Sequence, residues 1–505
     1  LQERGVDTGD AVGLMLPTSR EYFGVFLGIL AAGGIPVPIY PPWRRSQIEE
    51  QLLRQAGILD NAQARLLVTV PDARPAAHLL RLRVPGLRRL ITPMELAAAG
   101  GPEPARRDAS ERDAALVQYT SGSTGAPRGV VLTHANLLAN IRAMGEVTGA
   151  GPDDVFVSWL PLYHDMGLIG AWLASLYLGM ALVVMPPTEF LRRPVRWLRA
   201  IHEHRGTISA SPNFGYELCL NRVEERNLAG LDLSSWRIAL NGAEPVSPGT
   251  VARFAERFGP FGFHTEAMTP VYGLAEASVG LTFPPPGRGP LVDRVEREPF
   301  LRSGLALPAS EDDPNPLRLV GCGRPLPGHD VRIVDPSGTP LRDRQQGRIE
   351  FRGPSATAGY LRNPQATRRL FRDGWLDTGD LGYRADGELY VTGREKDLVI
   401  RAGRNVHPQE LEEAAGRVEG IRKGRTTVFG VRDPSSGTER LVVLAETREQ
   451  GAESRDRIRR DIVAASIDLL GTPPDDVVLA PPGTVPKTSS GKVRRAACRE
   501  LYELG

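Results

Sequence analysis

Short apolar runs alternate with amphipathic stretches through the first 280 residues of the chain. AVGLML at 11–16, IPVPIY at 35–40, RLLVTV at 65–70 and WRIAL at 236–240 read as buried strands separated by helices. Such alternation predicts α/β layers with largely parallel sheets. Two charge-free stretches, 22–42 and 166–188, approach the length of a membrane-spanning helix. Each is interrupted by glycine: Gly33-Gly34 in the first, Gly179 in the second. Each therefore predicts a helix, a glycine stop and a short buried strand, and no membrane span. The alternation lapses over about 291–318, a Pro-, Glu- and Asp-containing stretch read as an insertion. After it come shorter β-type runs, VRIVD, GRIEFRG and GELYVTG. From about residue 397 a compact α/β unit follows: DLVI, the helical PQELEEAAGRV, TTVFGV, LVVLAET and a helix near 455–470.

Composition narrows the class only slightly. The chain has 505 residues, 41% apolar and 24% charged, an ordinary globular make-up for two to four packed units. A net charge of +2 gives no basic face for nucleic acid. Cys219, Cys322 and Cys498 lie far apart and form no CxxC or Cys/His cluster, which fits a reducing, cytoplasmic setting without structural zinc. The chain starts at Leu1 with no signal-peptide layout and reads as an excerpt of a longer protein. One asymmetry stands out. Only Lys396, Lys423, Lys487 and Lys492 among the 62 basic residues are lysines.

Candidate chemistry begins at residues 119–129, YTSGSTGAPRG, between the strand-like ALVQ and VVLT. Glycines allow a tight backbone whose N–H groups can surround phosphates, and hydroxyls and a cation add donors. Walker A and GxGxxG spacings are absent. Taken alone, the segment also fits a plain Gly/Ser hairpin.

Four more motifs follow in order: Tyr272-Gly273-Leu274-Ala275-Glu276, Thr378-Gly379-Asp380, Gly393-Arg394-Glu395-Lys396-Asp397, and Pro486-Lys487-Thr488-Ser489-Ser490-Gly491-Lys492. Together the five resemble the signature set of the adenylate-forming superfamily, which contains acyl-CoA synthetases, peptide-synthetase adenylation domains and luciferases. Within it the match is nearest to fatty acyl-AMP ligases. The segments carrying that likeness are SWLPLYHDMGLIG at 158–170, SPNFGYELC at 211–219 and LNGAEP at 240–245, with the insertion.

The resemblance implies a large α/β domain, 1–395, of sheets layered with helices plus a distorted barrel. Its first strands would precede Leu1. It also implies a small mobile α/β domain, 396–505, turning about Lys396. The implied activity is ATP- and Mg2+-dependent conversion of a fatty acid to acyl-adenylate and pyrophosphate. Acyl transfer to the phosphopantetheine thiol of an acyl carrier protein would follow, possibly within the same longer chain. Two rivals remain: a long-chain acyl-CoA synthetase, and a non-catalytic adenylate-binding regulator.

The resemblance also assigns roles. Thr120, Ser121, Gly122, Ser123, Thr124, Gly125 and Arg128 would hold phosphates. Glu276 would bind Mg2+, a hard cation suited to carboxylate and phosphate oxygens. Gly242, Ala243, Glu244, Tyr272 and Gly273 would border adenine, and Asp380 and Arg394 the ribose. His164, Asp165, Met166, Asn213 and Phe214 would line the acyl pocket. Lys492 would reach both the carboxylate and the α-phosphate; a solvated lysine is the ordinary alternative, and Lys487 has no role. His164 and Asp165 need not act as a base, since a carboxylate nucleophile is already ionised. Asp165 also suits capping of the following helix; Met166, Phe214 and Tyr216 suit plain core. Two departures stand out: Arg128 replaces the family's usual Lys, and GRNVHP at 403–408 lies between the fatty acyl-AMP ligase and CoA-ligase patterns.

Overall fold

The structure is a computed structural model of the 505-residue chain. It describes all residues except 42–47, 99–107, 121–126, 402–403, 433–438, 488–492 and 505. Two parallel sheets form the first half. In one, Ala11–Met15 pairs with Ile35–Pro38 and with Leu66–Thr69, and Arg89–Ile91 closes the edge. In the other the order is Met268–Pro270, Ile238–Asn241, Ile208–Ser211, Val155–Ser158, Ala181–Val184. Their near-continuous apolar strands follow from burial on both faces. Trp197, Trp236, Phe254 and Tyr216 fill the core beside the second sheet.

Both charge-free stretches fold as the glycine breaks predict. Arg20–Ala31 is a helix and Ile35–Pro38 a strand. Residues Met166–Leu173 form a π-helix rather than an α-helix, which continues as the α-helix Ala174–Leu178. Gly179 ends it at φ 74°, a left-handed position that glycine takes without steric cost. Among the described residues no helix is long and apolar enough to cross a membrane.

Beyond residue 280 the chain turns antiparallel. Asp330–Val334, Gly347–Arg352, Trp375–Ala385, Phe371–Arg372 and Glu388–Arg394 form a five-stranded sheet in the part of the chain where a distorted barrel is expected. Stretch 291–318 is ordered: strands Val292–Val295 and Leu317–Val320 pair and bracket the helix Arg297–Ser303, whose Phe300 is buried against Tyr383. After residue 396 a three-stranded sheet, Ile421–Arg432, Glu439–Thr447 and Asp476–Ala480, is packed by the helices Pro408–Gly416 and Ala452–Leu470. The three cysteines are buried and free.

Candidate active site

One cleft of 1840 Å³ collects most of the residues singled out from the sequence. Its floor carries the antiparallel pair Ala114–Thr120 and Arg128–Thr133, in which Thr120 lies opposite Arg128. The turn between them, with Ser121, Gly122, Ser123, Thr124 and Gly125, lies outside the described residues, as does Lys492. Gly129 is required: a Cβ there would sit 2.8 Å from the Tyr119 ring. The Arg128 guanidinium lies 5.4 Å from the centroid of the Tyr360 ring.

Glu276 stands on a single 3₁₀ turn, Ala275–Ala277. Its Oε1 accepts a 2.7 Å hydrogen bond from the Tyr360 hydroxyl. Burial raises its carboxyl above the ordinary range; the Tyr360 bond opposes this, and Asp165 and Asp380 add to it. Among the described residues no cationic side chain lies within 4.0 Å of Glu276. The turn itself is braced. Thr357 N–H donates to the Glu276 carbonyl at 2.8 Å, and Ser355 Oγ donates to the Ala277 carbonyl at 3.0 Å. His329 Nε2 meets Ser355 Oγ at 2.6 Å. These contacts hold Ser278 at φ 68°, ψ −65°, a strained γ-turn, two residues after Glu276.

Asp380 sits on the long strand Trp375–Ala385, in register with Arg394 on Glu388–Arg394. Its Oδ2 accepts from the Tyr272 hydroxyl at 2.7 Å, and its Oδ1 lies 3.4 Å from Arg394 Nε. Burial holds the Tyr272 hydroxyl well above its usual range, so it stays a donor. Ala243 and Glu244 follow the strand Ile238–Asn241. Ala243 lies at φ 65°, and Glu244 Oε1 accepts from the Phe214 N–H at 2.6 Å. That bond ties the cleft wall after Asn241 to the helix Asn213–Arg222. Gly242 does not itself line the cleft; a Cβ there would meet the Val271 carbonyl at 2.8 Å, so its role is close packing.

The wall with Met166 and Phe214 is apolar, and Phe214 packs edge-on to Trp159 at 5.7 Å. Tyr216, by contrast, is fully buried and bonds the Leu240 carbonyl, so it belongs to the core. Asn213 Oδ1 accepts from Ser247 N–H at 3.2 Å, which makes it a polar strut of this wall. His164 Nδ1 and Asp165 Oδ1 are 2.6 Å apart. Asp165 Oδ1 also accepts from Met166 N–H at 2.7 Å, so it caps the π-helix and lines the cleft at once.

The far rim comes from residues beyond 394. Lys396 occupies the turn Glu395–Asp397 at the cleft margin. A bridge between Lys487 and Val493 closes the base of the segment carrying Lys492. Arg495 anchors that base, with both Nη2–carboxylate distances to Glu412 at 2.9 Å and a 2.5 Å ion pair to Asp397. Across the rim, Arg297 pairs bidentately with Glu410 at 2.5 and 2.7 Å, and Ser247 Oγ donates to Glu413 at 2.8 Å. Sequence reading missed Tyr360, Ser355, His329 and Arg495. No motif marks them, and their partners lie far along the chain or on another strand.

The cleft thus brings together the Arg128 guanidinium, the Glu276 carboxylate with no cationic partner among the described residues, the Asp380 carboxylate and an apolar wall. Residues 1–361 match the AMP-binding enzyme family, and the chain belongs to it. A long-chain-fatty-acid–AMP ligase of Mycobacterium marinum, FadD26, is 36% identical over 537 residues, covering 98% of this chain and 87% of that protein. A medium-chain-fatty-acid–[acyl-carrier-protein] ligase of Moorena producens, JamA, is 34% identical over 520 residues, covering 100% of this chain and 87% of that protein. A structure from a study of fatty acyl-adenylate ligases of E. coli and L. pneumophila superposes with TM-score 0.93 at 35% identity, covering 99% of this chain and 89% of that one.

Proposed function

We propose that the chain activates a fatty acid with ATP and then passes the acyl group to the phosphopantetheine thiol of an acyl carrier protein. The observation that carries this is the convergence of Thr120, Arg128, Glu276 and Asp380 on one cleft whose neighbouring wall is apolar. The names of the relatives support the fatty acid and the carrier protein as substrates.

In the first step a carboxylate oxygen attacks the α-phosphorus and pyrophosphate departs. Both reactants are anions, so neutralisation and alignment dominate the barrier. Arg128 and residues 121–126 would hold the phosphates. Lys492 bridges the carboxylate and the α-phosphate oxygen. Asp380, an acceptor-only group, receives the ribose hydroxyls, and Tyr272 fixes its orientation. Glu276 suits Mg2+: it is a desolvated carboxylate with no cationic partner among the described residues, and Mg2+ is commonly held by one or two carboxylates plus substrate phosphates. When bound, the ion neutralises charge on the phosphate oxygens. In the second step the thiolate sulfur attacks the acyl carbonyl carbon and AMP leaves. The domain division at about 395/396 and the hinge role of Lys396 belong to this reading.

The test measures ATP–pyrophosphate exchange across a fatty-acid chain-length series, then acyl transfer to coenzyme A and to holo-carrier protein. Exchange followed by preferential transfer to the carrier supports the proposal. Efficient transfer to coenzyme A instead favours a CoA synthetase, and absence of exchange favours a non-catalytic adenylate-binding protein.

A further inference from the structure

The outer edge of the first parallel sheet carries charge that the cleft does not use. Residues 65–89 hold six arginines against one acid, Asp72, so this short stretch is more basic than the whole chain at +2. Its helix, Arg74–Arg83, buries Ala76, Ala77 and Leu80 in the core shared with Leu59 and Leu67. Leu82 falls on the opposite side of that helix and is 80% exposed; Leu79, on its flank, is 45% exposed. A turn closed by the Leu87 N–H on the Val84 carbonyl at 3.0 Å then leads to the edge strand Arg89–Ile91, with Pro85 and Gly86 exposed at its tip. The N–H groups of Arg88 and Arg89 both donate to the Arg65 carbonyl, at 2.9 and 3.1 Å. Three of the arginines therefore leave the backbone side by side, next to the end of the helix.

Little in the fold neutralises this group. Arg74 pairs with Glu95. Arg65, Arg81, Arg83, Arg88 and Arg89 are exposed, and among the described residues no carboxylate lies within 4.0 Å of any of them. The negative end of the helix accounts for Arg81 and Arg83 in its last turn. It does not account for Arg65, Arg88 and Arg89, or for Leu82. Like charges gathered on one surface repel, and an exposed leucine keeps apolar area in water. Both costs are relieved by a partner that is anionic at its surface and apolar just beneath. A bilayer with anionic headgroups has that layered chemistry. At 80% exposure Leu82 protrudes, as insertion requires, whereas an anchor for a protein partner is usually met by a packed pocket.

We propose that this edge docks the protein on an anionic membrane surface. The guanidinium groups of Arg65, Arg81, Arg83, Arg88 and Arg89 sit at the level of the lipid phosphates, and Leu82 and Leu79 enter the upper acyl chains. The contact is peripheral, since among the described residues no helix is long and apolar enough to cross a membrane. A fatty acid partitions into the same bilayer, so docking brings the chain to the substrate pool of the function proposed above. Only this benefit, and not the binding itself, rests on that function.

Co-sedimentation of the purified chain with lipid vesicles tests the surface. Vesicles of phosphatidylcholine with phosphatidylglycerol are compared with pure phosphatidylcholine, at low and high salt. The wild type should bind the anionic vesicles at least about tenfold more tightly than the neutral ones, and high salt should remove most of the difference. Arg88→Gln combined with Arg89→Gln should weaken binding about 25-fold, roughly fivefold for each charge near the surface. The corresponding pair of Lys substitutions keeps the charge and should stay within about twofold. Leu82→Ser should weaken binding about fivefold through the apolar area no longer inserted. All of these side chains are exposed and without an acidic partner among the described residues, so melting temperatures should stay near that of the wild type. Wild type that ignores anionic vesicles, or that binds neutral ones equally, overturns the inference. So does vesicle binding that survives the paired Gln substitutions or Leu82→Ser unchanged, and so does a patch that retains only an acidic protein or a nucleic acid. A chain that binds vesicles as described but shows no fatty-acid-dependent exchange overturns the proposed function and leaves this surface in place.

Discussion

Replacing Tyr360 by Phe removes one hydroxyl and leaves the ring that packs under Arg128. The hydroxyl donates to Glu276 Oε1 at 2.7 Å. It is the strongest of the contacts that hold the Glu276 carboxylate ionised against burial. A hydrogen bond to a charged group contributes roughly 1.5–3 kcal/mol. Taking the lower value because the site is partly open to solvent, its loss raises the proton affinity of Glu276 about tenfold, since 1.36 kcal/mol corresponds to one decade. Ionised Glu276 is the form that binds a cation. Metal-dependent ATP use therefore falls as pH drops through the folded-state value, and in Tyr360→Phe that fall should begin about one pH unit higher. At the alkaline plateau Glu276 is ionised in both proteins, and activity should differ by less than about threefold. The assay is ATP–pyrophosphate exchange from about pH 5 to 9 at several Mg2+ concentrations, with the acid limb fitted for each protein. A limb that stays in place, or an equal loss at every pH, would refute the reasoning.

Other perturbations test other parts of the site. Ser355→Ala removes the donor to the Ala277 carbonyl and the partner of His329, so the strained turn at Ser278 relaxes; exchange kcat should fall about tenfold, and an unchanged kcat would show that Glu276 needs no such brace. Asp380→Asn keeps an acceptor for the Tyr272 hydroxyl but removes the charge proposed to receive the ribose, so the KM for ATP should rise roughly tenfold with little effect on melting temperature; a KM within twofold of wild type would contradict the assignment. His407, against Phe300 of stretch 291–318, is lowered by burial from 6.5 to about 4. Its unfolded form takes up a proton first as pH falls. The stability it confers is thus complete above about 6.5 and lost progressively towards 4, amounting to about 1 kcal/mol at pH 5 after allowance for partial exposure. Thermal melts between pH 7 and 5 should slope less steeply in His407→Gln, and equal slopes would contradict this.

Much of the described cleft lining was legible because its parts are local. Glu276 and Asp380 each sit in a short motif that carries its own turn glycine, Gly273 or Gly379. At Gly273 the requirement is steric: a Cβ there would come within 1.8 Å of the Val279 carbonyl. The parallel sheets were legible for the same kind of reason, since glycine breaks such as Gly179 punctuate apolar runs. What was not legible depends on distant partners. Tyr360 looks like any tyrosine after a glycine until the fold brings it to Glu276, 84 residues away. Asn213 and Tyr216 lie one turn apart on the same side of one helix, yet Asn213 at its start meets Ser247 at the cleft wall and Tyr216, a turn further on, is buried against the Leu240 carbonyl; only their tertiary partners separate them. Stretch 291–318 reads as an irregular insertion, but Arg297 and Phe300 give it a helix docked on both parts of the chain. The four lysines also separate: Lys423 pairs with Asn221 across the cleft rim, a contact that an arginine could replace.

The central claim is that this cleft adenylates a fatty acid with Lys492 as the bridging cation. The most direct measurement is fatty-acid-dependent ATP–pyrophosphate exchange by wild type and Lys492→Ala. The account predicts robust exchange in the wild type and a loss of about 100-fold or more in the variant, the scale of removing one charge that stabilises the transition state. Exchange in Lys492→Ala equal to wild type would contradict it.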